Sequence, residues 1–374
     1  MIIAVYCVLL IATIIYSVLI YQVQKEVTHN ADTHHKIEDP KICIIISVRN
    51  ESRHIAQTLE SILCNDYPAE HYDILVINDH STDKTAEIVS KFKKVTLLHL
   101  PIGIYGKKAA ITFGIQNTNA NKIILTDGDC IVEKDWILHH SSALDNTYIN
   151  TGWIFLKEER NFLSAVQAMD VAATLAITKW AIKKEYFALG NGANMSIRRN
   201  ILQGEWYSGN EHIASGDDIF LFEKIFKKDP SKIGFIDGMN GSVTTYGQPS
   251  WSSLLAQRLR WAAKQAITSS KRVFIFQSVI AVYLFLLYGV LLWLLWNWTS
   301  FGYIVIISLG IKFIVDYQLL KKIQSQRAKP STTFFVLAWI LYPIFYFILA
   351  FAALFRINVK WKDRPTLSDT KKAL

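Results

Sequence analysis

Cysteine is scarce: Cys7, Cys43, Cys64 and Cys130 are all that 374 residues contain. None pairs as C-x-x-C, which excludes a disulfide framework or a zinc knuckle and leaves free thiols in a reducing compartment. Basic runs interleaved with aromatics are also missing, although the formal net charge is +9, so a nucleic-acid binder of the usual composition is excluded. Residues 2–21 hold no charge at all. A signal peptide would bring a basic leading region and a small-residue cleavage site, and both are lacking. There is no internal repeat and no low-complexity tract.

What is present is apolar surface, unevenly placed. The chain is 51% apolar and 13% aromatic, and the excess sits at the two ends. Residues 2–21 are long enough to cross a bilayer as one helix, giving a retained anchor over 1–23. A polar linker follows over 24–40; its His29, His34 and His35 read as a solvated stretch, because the carboxylates nearby lack a ligand-like order. Residues 273–295, 300–320 and 332–355 form three more apolar runs inside a membrane region over 264–356, before a basic tail at 357–374. The first and third of these runs carry no charge, and the second carries Lys312 and Asp316, spaced to pair on one helix face. Lys25, Lys264, Lys271, Arg272, Lys321, Lys322, Arg327, Lys329, Arg356 and Lys360 flank the apolar stretches, as the positive-inside bias requires. Such basic surface also suits anionic headgroups and nucleotide diphosphates.

Residues 41–263 read as a soluble domain. Ile42–Val48, Asp73–Ile77, Val95–Leu98 and Lys122–Thr126 have the apolar runs of buried strands. Between them, 53–63 (Ile55, Leu59, Ile62, Leu63), 82–92 (Ala86, Val89, Phe92) and 106–116 have helical spacing. This alternation predicts an α/β, Rossmann-like, mostly parallel sheet flanked by helices. Ligands of such sheets bind beyond the carboxyl ends of the strands. Residues 151–263 mix helices and loops without that regularity.

The polar clusters fall at those strand ends. Arg49-Asn50-Glu51 follows the first strand, and Asn78-Asp79-His80-Ser81-Thr82-Asp83 ends the second. The latter also reads as a capped helix start; in the functional reading Asp79 accepts from a base N–H. Asp127-Gly128-Asp129 follows the fourth strand. Hard divalent cations take one or two carboxylates plus substrate phosphates, and the glycine permits a tight turn; a solvated turn is the plain alternative. Asp217-Asp218 opens an amphipathic helix, as caps or with one carboxylate as a general base. Gln257-Arg258-Leu259-Arg260-Trp261 precedes an apolar run, as an interface belt or with Arg260 on a leaving diphosphate.

Taken in order, these elements, with Gly106-Lys107, Ala110, Gly114-Ile115 and Gly192-Ala193-Asn194-Met195, resemble glycosyltransferase family 2, in its integral-membrane branch with a Gln-x-x-Arg-Trp motif, over residues 41–263. The resemblance implies a GT-A fold with one N-terminal and about three C-terminal membrane helices. It implies a hexosyltransferase-type enzyme that inverts at the anomeric carbon, with a Mn or Mg ion and a nucleotide-diphosphate sugar as donor. Arg49, Asn50, Glu51, Asp79 and Lys107 would lie near the nucleotide. Asp129 and Asp127 would serve the metal, Asp127 also the ribose or diphosphate. Asp218 would be the base with Asp217 beside it, and Gln257, Arg260 and Trp261 would meet acceptor and diphosphate. The expected acceptor is a lipid or lipid-linked molecule at the cytosolic face of the inner membrane, with no nucleic-acid partner. Asn78 and His80 depart from the Asp and Gly that many relatives carry, and Trp361-Lys362-Asp363-Arg364 from a Trp-Lys-Gly-Arg. Three rival readings remain: a processive polysaccharide synthase of the same family, a non-catalytic nucleotide-sensing scaffold, which predicts eroded acidic residues, and a transporter.

Overall fold

The computed structural model describes residues 2–27, 41–157, 161–202, 217–268, 270–297, 302–324 and 332–354, together with 360–361 and 364–365. Most of the linker with its three histidines, Ser215-Gly216 and most of the basic tail lie outside the described residues. In chain order the elements are α1 (Ile2–Glu26), β1 (Ile42–Val48), α2 (Ile55–Leu63), β2 (Tyr72–Asn78), α3 (Thr85–Val89), β3 (Val95–His99), α4 (Lys107–Gln116), β4 (Lys122–Asp127), β5 (Ile131–Val132), α5 (Trp136–Ala143), β6 (Ile149–Gly152), β7 (Ile154–Leu156) and α6 (Phe162–Lys183). There follow β8 (Asn194–Arg198), α7 (Asp217–Lys228), β9 (Ile233–Ile236), β10 (Val243–Thr245), α8 (Trp251–Thr268), α9 (Lys271–Trp296), α10 (Tyr303–Gln324) and α11 (Thr332–Leu354).

The chain divides into two compact units. One comprises Met1–Thr28, Glu159–Phe187 and Ser269–Ile348, the other His29–Glu158, Ala188–Thr268 and Leu349–Leu374. The second holds a seven-stranded sheet in the order β3-β2-β1-β4-β8-β6-β9. β3, β2, β1 and β4 run parallel, with Ile42 opposite both Tyr72 and Lys122. β8 runs antiparallel to β4 and to β6, and β9 runs parallel to β6. Ile42, Ile44, Ile46, Ile123 and Ile124 are fully buried, as a sheet covered on both faces demands. Helix α4 lies close over that sheet: a Cβ on Gly114 would come within 2.7 Å of Ile45 Cγ2. The order of connection reverses beside β1, so the crevice between the carboxyl ends of β1 and β4 is the switch point of the fold. A three-stranded sheet, β5-β10-β7, starts two residues after Asp129.

Helix 82–92 of the sequence reading is shorter in the structure, as α3. Its first turn is given up to a loop, because Asp83 accepts from Ser52 N–H (3.1 Å) and Thr85 N–H (3.0 Å), tying this segment to the turn after β1.

The other unit is a helical bundle. Among the described residues, Ile2–Glu26, Lys271–Trp296 and Tyr303–Ile323 are long and apolar enough to cross a membrane, and Phe334–Leu349 is a shorter apolar stretch. Helix α11 runs through Pro343 without interruption. Lys312 and Asp316 pair at 2.5 Å as their spacing implies. Asp316 also accepts from Tyr16 (2.6 Å) and Trp339 (2.8 Å), so one carboxylate ties α1, α10 and α11 together. Helix α6 belongs to this unit and meets α11 where Tyr342 donates to Asp170.

Candidate active site

The turn after β1 and the loop after β2 are laced through side chains. Asn50 N–H donates to Ser81 Oγ (3.1 Å), Thr82 N–H to Asn50 Oδ1 (2.8 Å) and Glu51 N–H to Thr85 Oγ1 (2.8 Å). Asn50 and His80 adopt positive φ, 56° and 53°. The left-handed region carries little strain without a Cβ, so glycine at position 80 would relax this backbone. Burial works against the charge on Asp83, yet the hydrogen bonds from Thr85 and Ser52 outweigh it and hold its pKa down to about 2.

Asp79 is buried, and its Oδ2 accepts from Gly106 N–H at 3.0 Å. Arg49 reaches the Asp79 carbonyl at 3.4 Å. Gly106 has φ 101° and caps the start of α4, so Asp79 in effect sets where Lys107 begins. Lys107 Nζ then pairs with Asp127 Oδ1 at 2.5 Å.

The Asp127-Gly128-Asp129 turn sits against the β1 turn. A Cβ on Gly128 would lie 2.9 Å from Val48 Cγ1 and 3.2 Å from Glu51 Cγ, so only glycine fits this approach without a shift. Burial raises the pKa of Asp129 to about 6, reinforced by the charges of Asp127 and Glu51 and opposed by Lys107. Carboxylates this close repel one another in the absence of a further cation.

Asp218 lies at the start of α7. Its Oδ2 accepts from Gly192 N–H (3.0 Å) and its Oδ1 from Ile219 N–H (2.9 Å). A Cβ on Gly192 would fall 3.2 Å from Lys107 Nζ and 3.7 Å from Asp218 Oδ2, so the ammonium and this carboxylate both border the bare glycine. Burial lowers the pKa of Arg260, while the charges of Asp127 and Asp218 both act to raise it, so both carboxylates lie within electrostatic reach of the guanidinium. It stays protonated in any case.

Residues scattered over positions 51 to 260 thus converge: Glu51, Lys107, Asp127, Asp129, Asp218 and Arg260. Gln257 and Trp261 are engaged by Arg258, which donates to Gln257 Oε1 at 3.0 Å and stacks 4.2 Å above the Trp261 ring. Asp217 is the first residue of α7, and its side chain is outside the described residues. Among the described residues no group of three or more His, Cys, Asp or Glu side chains is arranged to hold a metal ion by itself.

Sequence reasoning missed Asn194 as a hub and the packing of Tyr246 against Gln57, Lys157 and His54. Asn194 Oδ1 accepts from Trp136 Nε1 (2.8 Å) and His140 Nε2 (2.7 Å), and its Nδ2 donates to the carbonyls of Trp153 (2.9 Å) and Gly241 (3.0 Å). The one signal available was its place in the Gly192-Ala193-Asn194-Met195 stretch at the start of β8.

Comparison with known proteins agrees with this architecture. Residues 43–227 match the family model Glycosyl transferase family 2, and the chain belongs to that family. It is 32% identical over 239 residues to the β-monoglucosyldiacylglycerol synthase of Nostoc sp., which covers 60% of this chain and 48% of that protein. It is 25% identical over 244 residues to the poly-β-1,6-N-acetyl-D-glucosamine synthase of Staphylococcus epidermidis, covering 61% and 55%. The matched stretch thus spans about half the length of these curated relatives. Among solved structures, a mannosyltransferase from Pyrobaculum calidifontis in complex with GDP-Man and Mn2+ superposes with a TM-score of 0.52 at 14% identity, over 94% of this chain and 97% of that one, and shares the fold.

Proposed function

We propose that this chain is an inverting, metal-assisted glycosyltransferase that moves a sugar from a nucleotide-diphosphate donor to a lipid or lipid-linked acceptor at the cytosolic face of the inner membrane. The carrying observation is that Lys107 pairs with Asp127 and borders Gly192, whose N–H holds Asp218, with Arg260 within electrostatic reach of both carboxylates.

Within that reading the β1–β4 crevice takes the nucleotide, with Arg49, Asn50, Glu51 and Asp79 shaping its walls. Asp127 and Asp129 would hold a divalent cation together with donor phosphates. The crowding that raises Asp129 fits such a cation, and two carboxylates completed by phosphates suit Mg²⁺ or Mn²⁺. When bound, the metal supplies Lewis-acid stabilisation of the diphosphate. Asp218 takes the proton of the acceptor hydroxyl as the new bond forms on the face opposite the nucleotide. Gly192 N–H keeps one carboxylate oxygen oriented. Arg260 and Lys107 present positive charge where the departing diphosphate becomes negative, which favours the transition state over the ground state.

Three candidate membrane helices and a lipid-synthase relative support a membrane acceptor. Single transfer is favoured over processive synthesis, because three candidate spans among the described residues are few to wall a polymer channel. The test is a panel of radiolabelled nucleotide sugars with membrane lipids, with and without Mn²⁺. Asp218→Asn is expected to lose ~10²–10⁴-fold in turnover with donor affinity kept, and wild-type turnover in that variant would overturn the assignment. Asp129→Ala is expected to abolish metal-dependent donor binding.

A further inference from the structure

The loop after β2 carries a non-glycine residue in the left-handed region, His80, with φ 53°. Buried Asn78 closes the turn around it: its Oδ1 accepts from Ser81 N–H (3.1 Å) and its Nδ2 bonds His99 Nδ1 (3.1 Å). Successive side chains along extended backbone point to opposite sides. The positive φ breaks that alternation, and the side chains of Asp79 and His80 land on one and the same loop. Asp79 Oδ2 accepts from Gly106 N–H (3.0 Å), His80 Nε2 bonds Ile104 O (3.0 Å), and the His80 ring lies 4.7 Å from that of Tyr105.

A carbonyl oxygen only accepts, so Nε2 carries the proton and Nδ1 of the neutral ring is an acceptor. The Asp79 carboxylate accepts too, with about four lone-pair sites. Two acceptors from consecutive residues therefore stand at the end of β2. The loop that receives them is apolar and open: Ile102 is 94% exposed, Tyr105 52% and Ile104 47%. Its turn is closed by Ile104 N–H on Pro101 O (3.1 Å), and the space around Gly103 is empty. Two residues, at most ~7 Å of chain, separate Tyr105 from Lys107, whose ammonium pairs with Asp127. One nucleotide can thus set its base against Tyr105 and its diphosphate by Lys107.

We infer that the donor's base stacks on Tyr105 and is read by Asp79 and His80 together, which selects guanine and makes the donor a guanosine-diphosphate sugar. This inference rests on the glycosyltransferase reading above and names the base within it. Guanine presents adjacent donors, N1–H and the 2-amino group, on one edge. Uracil sets its single N–H between two carbonyl oxygens, and cytosine and adenine place a ring acceptor beside the amino group. In those three, one of the two protein acceptors meets a lone pair, which forfeits a hydrogen bond and adds repulsion.

Titration calorimetry on the full chain in detergent, with Mg²⁺, compares GDP, UDP, CDP, ADP and inorganic pyrophosphate. The proteins are wild type, His80→Gly, Tyr105→Phe and Tyr105→Ala. Wild type should bind GDP about tenfold more tightly than the other nucleotides, the scale of one hydrogen bond made against one lost. His80→Gly, which relaxes the backbone, should bring GDP level with UDP while UDP affinity stays. Tyr105→Ala should lose about tenfold for every nucleotide and nothing for pyrophosphate, and Tyr105→Phe should keep most of what alanine loses, because stacking needs the ring face alone. A wild type that prefers another base or none, or a GDP preference that survives His80→Gly, overturns the guanine assignment. Equal losses for nucleotides and pyrophosphate in Tyr105→Ala overturn the stacking. Sugar transfer is measured separately. Transfer from a uridine-diphosphate sugar in preference to its guanosine counterpart sinks the base assignment and leaves the transferase reading standing. A His80-dependent GDP preference with no transfer from any donor removes the transferase reading and leaves the base site standing.

Discussion

Asn194 shows how much one buried amide can fix. Its four hydrogen bonds join α5, the β6–β7 junction and the segment before β10, directly behind the acidic turn. Asn194→Ala leaves two carbonyls, an indole N–H and an imidazole N–H unmatched, at a cost of roughly 2–4 kcal/mol; denaturation in detergent measures it. His140 is held neutral. Burial pulls its pKa down to about 3, with the Asn194 hydrogen bond acting the other way. An unfolded chain takes up this proton as pH falls through about 6.5, whereas the folded chain does so only near 3. Stability from this residue is therefore full above pH 6.5 and declines steadily below it. The melting temperature should fall between pH 6.5 and 5, less steeply in His140→Gln, and equal slopes would refute the assignment.

Helix α7 carries Asp218 into the site by its seating rather than by its composition. Phe222, one turn along, is fully buried under the Gly190 loop, where a Cβ on Gly190 would come within 2.3 Å of the ring. Gly190→Ala should push α7 outward and pull Asp218 from Gly192 N–H, at an overpacking cost of about 1–3 kcal/mol. The expected result is at least a tenfold loss of kcat with donor affinity kept. A drop in donor affinity with kcat intact would place the effect elsewhere.

For the molecule as a whole, the placement of basic residues bears on which side of the membrane each segment occupies. The sequence pointed to three apolar runs after the soluble domain, which would send the basic tail across the bilayer. Among the described residues two helices there, α9 and α10, meet the length and hydropathy of a span, and α10 ends in Lys321-Lys322. A chain that crosses twice returns to the face it left, which agrees with the positive-inside bias. A single cysteine in place of Ser325 should therefore react with an impermeant maleimide from the same side as one placed at exposed Lys91. Opposite labelling would exclude two crossings.

Much of the fold is legible in the amino-acid sequence itself. Strand runs such as Ile42–Val48 and the helical spacing of Ile55, Leu59 and Ile62 gave the alternating half of the fold, because buried strands and amphipathic helices leave periodic apolar marks. The acidic turn and Asp218 stood out by lying at element ends. The tertiary structure alone decided what those residues touch: that Asp79 holds Gly106, that Lys107 pairs with Asp127, and that Asp218 accepts from Gly192 N–H. It also decided that α6 leaves the sheet unit for the helical one. Periodicity reports which face of an element is buried, whereas contacts between positions a hundred residues apart depend on sheet order and register, which local sequence does not encode.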